Sequence, residues 1–92
     1  MGATDKLEYD ESMISLLEAV WGEGFMSPGG TGEVDRVLGN KGLSQATVLD
    51  IGCGIGGAAV HIALTRLPSS ITGIDIEENL VVLATELAEK NK

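Results

Sequence analysis

The chain of 92 residues predicts an α/β fold built on parallel strands, on three observations. Val48-Leu49-Asp50-Ile51-Gly52-Cys53-Gly54-Ile55-Gly56-Gly57 is an apolar run that passes through an aspartate into a glycine-rich turn, with helix-forming residues after it. Ser70-Ile71-Thr72-Gly73-Ile74-Asp75-Ile76 is a second strand-like run, rich in β-branched residues and ending on an acid. Between them, Ala58 to Leu64 supplies an apolar helix, the crossover that two parallel neighbours require. The resulting Rossmann-like βαβα unit occupies residues 46–92, behind a helical lid or cap segment at 1–45.

The elements follow in order. Asp10 is a good N-cap, and Met13, Leu16, Leu17, Val20 and Trp21 recur at the spacing of one helical face until Gly22 ends the run. This amphipathic helix either packs as plain structure, on the sheet or on a neighbouring chain, or closes as a lid over a ligand. Gly22 to Gly32 reads as a glycine-rich loop containing Ser27-Pro28, and Val34, Val37 and Leu38 mark a short helix closed by Gly39-Asn40-Lys41-Gly42. The strand begins near Ala46. The helix after Asp75 is expected to bury Leu80, Leu83, Ala84, Leu87 and Ala88 and to show Glu78, Glu86, Glu89 and Lys90 to water.

The glycine turn implies a ligand, because glycines let the backbone approach closely and a following helix aims free N–H groups at whatever sits there. Gly52, Gly54 and Gly57 satisfy the G-x-G-x-x-G pattern of dinucleotide sites, so spacing alone leaves NAD open. Asp50 opposes it: a carboxylate two residues ahead of the first glycine repels a pyrophosphate and attracts a ligand with a cationic end. S-adenosylmethionine, with a sulfonium and an ammonium group, is such a ligand. Asp75 lies 23 positions after Gly52, at the tip of the neighbouring strand, where one carboxylate can accept from both hydroxyls of a ribose. The plainer role for Asp75 is a solvated cap of the helix that follows.

Composition narrows the partner classes. Six basic and fourteen acidic residues give a formal net charge of −8 with the bases scattered, which disfavours nucleic acid. No apolar stretch approaches the roughly 20 residues of a membrane span, and no signal-peptide h-region is present, so a soluble cytoplasmic protein is expected. Cys53 is the sole cysteine, which excludes an internal disulfide and a cysteine-built metal site. Without a visible catalytic partner it reads as a small residue tolerated beside the ligand. His61, among Ala58, Ala59, Val60, Ile62, Ala63 and Leu64, reads as a helix-surface or packing residue. No metal ligands and no catalytic base can be named.

With these residues in view, the chain resembles the class I S-adenosylmethionine-dependent methyltransferases, whose first motif is similar to VLDIGCGIGG and whose second strand ends like GIDIEEN. The resemblance covers residues 46–92. It implies the N-terminal portion of a Rossmann-like methyltransferase fold, with Asp50, Gly52, Cys53, Gly54, Gly56, Gly57, Asp75 and Ile76 as cofactor contacts. Upstream, Tyr9-Asp10-Glu11-Ser12 and Trp21-Gly22-Glu23-Gly24-Phe25-Met26-Ser27-Pro28-Gly29-Gly30 resemble the lead-in of the phosphoethanolamine and related small-amine N-methyltransferases. That resemblance implies a lid tyrosine at Tyr9 and a cofactor-facing loop at Met26, Ser27, Gly29 and Gly30. The group's second lid tyrosine corresponds to Leu17, a departure that weighs against a phosphobase and leaves glycine-like compounds, other small amines or an unidentified acceptor open.

Two readable strands are few for a parallel sheet, which normally needs cover on both faces. The sequence is therefore expected to be the N-terminal piece of a longer methyltransferase that transfers a methyl group to a small-molecule acceptor such as an amine. The alternatives are a non-catalytic binding fragment or assembly module that self-associates and, more weakly, an NAD-dependent oxidoreductase.

Overall fold

The structure is a computed structural model and describes residues 10–91. Its elements run α1 (Glu11–Trp21), α2 (Gly30–Leu38), β1 (Thr47–Ile51), α3 (Gly57–Arg66), β2 (Ser70–Ile74) and α4 (Glu78–Lys90). The two strands pair in parallel, Thr47 opposite Ser70 through Ile51 opposite Ile74, and α3 is the crossover between them.

Helix α1 starts as expected: Asp10 is extended and its side chain accepts the Met13 N–H at 2.9 Å. It ends at Gly22, whose N–H donates to the Glu18 carbonyl. The inward face differs from the expected one. Ile14 is buried and Leu17, Glu18 and Trp21 are half-buried, whereas Met13, Leu16 and Val20 are exposed. The helix is apolar on two sides, and the bond from the Gly24 N–H to Glu18 Oε2 (2.7 Å) fixes which side turns in. Helix α2 begins at Gly30, inside the segment expected to be loop, because Gly29 in a left-handed conformation caps it through its carbonyl rather than through a side chain.

Burial alternates along β1, and in β2 only Ile71 is partly covered. Val48, Asp50 and Ile71 are partly covered, while Leu49, Ile51 and Ile74 are exposed. The sheet is thus covered on one face and open on the other, as expected of a parallel pair with too few neighbours. Strand β2 stops at Ile74, two residues short of the expected end, and Asp75 and Ile76 lie in the turn beyond it.

Ile14 of α1, Ile55 of the glycine turn and Leu80 of α4 form the buried core, with Met26 and Leu83 packed on it. The core therefore sits directly beneath the turn. Ala88, expected inside, is exposed, because it borders a groove between α3 and α4 that the small side chains of Ala59, Ala63 and Ala84 leave unfilled.

Candidate functional site

A cleft of about 470 Å³ opens at the C-terminal ends of β1 and β2. It brings together eight residues singled out from sequence: Met26, Ser27, Asp50, Gly52, Cys53, Gly54, Asp75 and Ile76. Gly24, Phe25, Ile55, Ala58, Glu77 and Leu80 also line it. Sequence reasoning missed these six. Ile55 carried a usable signal, since an apolar residue within a glycine turn has few places to go except beneath it.

The turn is shaped by its own amides. Gly52 and Cys53 both donate to the Ile74 carbonyl, at 2.8 and 2.9 Å, which welds the turn to the end of β2. The Gly54 N–H donates to Asp75 Oδ2 at 2.9 Å. The Gly56 N–H returns to the Cys53 carbonyl, and the Gly57 N–H donates to the Gly24 carbonyl at 2.8 Å. Five amides of the turn are thus already engaged within the chain, and the expectation that the first residue of α3 offers its N–H to a ligand is not met at Gly57. A phosphate cradle needs several such donors free and convergent. This turn does not offer them.

What it offers is space and negative charge. At Gly52 and Gly54, where φ is +73° and +57°, a Cβ would meet nothing within 4 Å, so both glycines face open cleft and a ligand can lie against bare backbone. Asp50 Oδ2 is buried without a hydrogen-bond partner. Burial pushes the Asp50 carboxyl above its ordinary pKa, and the neighbouring Asp75 charge adds to the rise. A carboxylate in this state is stabilised by an incoming cation or hydrogen-bond donor.

Asp75 is held by two backbone donors, Gly54 N–H to Oδ2 and Glu77 N–H to Oδ1, each at 2.9 Å. It is not the helix cap, a position that falls to Glu77. Its two oxygens retain outward acceptor capacity, since an ionised carboxylate has about four acceptor positions and these bonds use two. Ile76 is 96% exposed, an apolar surface beside that carboxylate.

The remaining expected residues divide. Gly56 and Gly57 do not line the cleft: a Cβ on Gly56 would lie 3.0 Å from the Cβ of Ala84, and Gly57 packs against Gly24. Their glycine character serves packing. The Cys53 thiol is half-buried, 3.7 Å from the Gly54 carbonyl oxygen, and burial and then the charges of Asp50 and Asp75 push its pKa up. That is the opposite of an activated nucleophile. His61 Nε2 lies 2.9 Å from Asp35 Oδ1, tying α3 to α2, and His61 is not part of the cleft lining, which agrees with its reading as a helix-surface or packing residue. Tyr9 lies outside the described residues.

Comparison with known proteins agrees with this geometry. Over 85 residues the chain is 35% identical to phosphoethanolamine N-methyltransferase 1 of Arabidopsis thaliana, a match covering 91% of this chain and 17% of that protein. It is 34% identical over 90 residues to phosphoethanolamine N-methyltransferase 2 of Caenorhabditis elegans, covering 96% and 20%. The chain thus spans about a fifth or less of the length of these curated relatives. Phosphoethanolamine N-methyltransferase 2 of Haemonchus contortus, solved in complex with phosphomonomethylethanolamine and S-adenosylhomocysteine, superposes with a TM-score of 0.78 at 33% identity, over 96% of this chain and 21% of that one. The fold is accordingly that of the N-terminal portion of an S-adenosylmethionine-dependent methyltransferase. Residues 43–92, more than half of the chain, match the methyltransferase domain family, and the chain belongs to that family.

Proposed function

We propose that the chain supplies the S-adenosylmethionine-binding part of a small-molecule methyltransferase whose acceptor is a small amine of the phosphoethanolamine type. The observation that carries this reading is the ownership of the polar groups in the turn. Five of its amides are committed internally while one oxygen of Asp50 is left buried and unpartnered, so the cleft suits a phosphate-free, cationic ligand and not a pyrophosphate.

In this reading Asp50 lies near the cationic methionine end, and Gly52 and Gly54 leave the space through which that end passes. Asp75, already oriented by Gly54 and Glu77, accepts from the ribose hydroxyls with its remaining lone pairs. Ile76 offers its exposed side chain to the adenine ring, and Met26 and Ser27 form part of the same cleft's wall. Residues 1–45 act as the cap and 46–92 as the cofactor unit, with Tyr9 assigned to the lid by resemblance.

Bound there, S-adenosylmethionine supplies an electrophilic methyl group on a sulfonium, which an amine nitrogen can attack in line. The chain's own contribution is orientation and electrostatics: Asp50 and Asp75 concentrate negative charge near the sulfonium, and the walls exclude water. The relatives' names favour phosphoethanolamine, while Leu17 at the position of a second lid tyrosine keeps other small amines among the acceptors to assay.

Calorimetric titration with S-adenosylhomocysteine and with NAD tests the reading. S-adenosylhomocysteine is expected to bind, and NAD to bind far more weakly. Tighter binding of NAD overturns it. The open sheet face, with Leu49, Ile51 and Ile74 exposed, favours a second reading in which the isolated chain self-associates. Sedimentation at low micromolar concentration tests that, and a strictly monomeric chain refutes it.

A further inference from the structure

We infer that Gly24 and Gly57 form a side-chain-free clasp that positions the Phe25-Met26-Ser27 wall of the cleft, with Glu18 as its latch. The inference rests on the reading of the cleft as the ligand site. Gly57 is the first residue of α3, so its N–H has no partner within that helix. It donates instead to the Gly24 carbonyl at 2.8 Å. The other polar group of Gly24, its N–H, donates to Glu18 Oε2 at 2.7 Å. One buried peptide segment is therefore gripped from both sides, by α1 through Glu18 and by α3 through Gly57.

The grip depends on the absence of side chains at both positions. A Cβ on Gly24 would lie 2.8 Å from the Gly57 Cα and 2.8 Å from Leu87 Cδ2. A Cβ on Gly57 would lie 2.5 Å from the Gly24 carbonyl carbon and 2.9 Å from Phe25 Cδ2. Gly24 also has a φ of +88°, which a side chain strains. The three residues that follow Gly24 are those that face the cleft, so a shift at the clasp moves the wall directly. A further tie, between this segment and α4 from Lys90 to Glu23, is an exposed pair at 2.6 Å and cannot set the wall's position alone.

The clasp makes α1 part of the site without touching the ligand. Glu18 acts through Gly24, so it is a positioning residue, and its function needs only an acceptor oxygen. The test compares Glu18→Ala, which removes the acceptor, with Glu18→Gln, which keeps one, together with Gly57→Ala. Each is titrated with S-adenosylhomocysteine and followed by amide hydrogen exchange without ligand.

Glu18→Ala is expected to weaken S-adenosylhomocysteine by about tenfold, the equivalent of one hydrogen bond, and to speed exchange over 24–27, with Glu18→Gln restoring both. Gly57→Ala is expected to speed exchange over 11–27 while α4 keeps its protection. Wild-type exchange over 24–27 in both Glu18→Ala and Gly57→Ala overturns the clasp, as does equal loss in Glu18→Gln and Glu18→Ala. Should Gly57→Ala fail to fold, the Glu18 pair decides. Failure of the unmodified chain to bind S-adenosylhomocysteine overturns the proposed function, while the exchange measurements still decide the clasp.

Discussion

Asp75→Ala tests the centre of the site before any ligand is added. The substitution removes two hydrogen bonds at once, from the Gly54 and Glu77 amides, both at 2.9 Å to a charged acceptor. Bonds to charged groups contribute about 1.5–3 kcal/mol each, and the lower end applies to a half-buried carboxylate, giving about 3 kcal/mol for the pair. Against this stands the relief of the like charge that, after burial, helps raise the pKa of Asp50, which offsets part of that loss. A net loss of about 2 kcal/mol in a chain of this size lowers Tm by roughly 8–16 °C. Asp75→Asn should fall between, because a carboxamide keeps one acceptor and presents an NH2 group where the second amide needs an oxygen. The assay is thermal unfolding at neutral pH without ligand, with amide exchange at Gly54 as the local readout. A Tm within about 2 °C of the parent, or a Gly54 amide still protected in Asp75→Ala, refutes the argument that this carboxylate organises the turn.

Three further outcomes are expected. Asp50 keeps its proton to a higher pH in the folded chain than in the unfolded one, so ligand-free stability should fall as pH rises from the ordinary carboxylate value of about 3.9 through the raised one. Asp50→Asn should remove that part of the fall, and identical pH profiles in denaturant unfolding would contradict it. The raised pKa of Cys53 should make it react with a disulfide reagent more slowly than free cysteine at neutral pH, and S-adenosylhomocysteine should slow it further by filling the cleft it lines; acceleration by ligand would count against both points. Leu80→Ala should cost about 2–5 kcal/mol, since Leu80 is 2% exposed and belongs to the core under the cleft, whereas Leu16→Ala, on the exposed side of α1, should leave Tm nearly unchanged; comparable losses in a melting comparison would restore the face of α1 expected from periodicity.

That last pair shows where sequence reasoning reached and where it stopped. The strands, the crossover helix and the cap at Asp10 were legible because each rests on local chemistry: β-branched runs, glycine punctuation, an acid ahead of a helix. The facing of α1 was not legible. Its periodicity is satisfied by two apolar stripes, and the choice between them is made by Glu18 reaching Gly24, a contact no hydropathy pattern encodes. The early start of α2 was hidden for a related reason, since Gly30 and Gly32 disfavour a helix locally and a backbone carbonyl caps it. In the site, spacing singles out Asp50, Gly52, Gly54 and Asp75, which the structure brings to the cleft, whereas Gly56 and Gly57 pack against Ala84 and Gly24, because a glycine needed for close packing looks the same in sequence as one that faces open space.

The distinction bears on how a glycine fingerprint selects its ligand. G-x-G-x-x-G specifies a sharp turn with a helix behind it, but binding depends on which amides the turn leaves uncommitted. Here the Ile74 carbonyl at the end of β2 takes two of them, Asp75 takes a third, and the N-terminal segment takes a fourth through Gly24. Each of those acceptors comes from outside the fingerprint, and the acid at the strand tip acts twice: it consumes a donor that a phosphate would need and adds a charge that a phosphate would avoid. Asp50 completes the bias from the other strand, with an oxygen that only a donor or a cation can satisfy. On the proposed reading of the cleft, a preference for a phosphate-free cationic ligand arises mainly from the pairing of β1 with β2, and a substitution that frees the Gly54 amide while removing charge, such as Asp75→Ala, should lower discrimination against anions as well as affinity for S-adenosylhomocysteine.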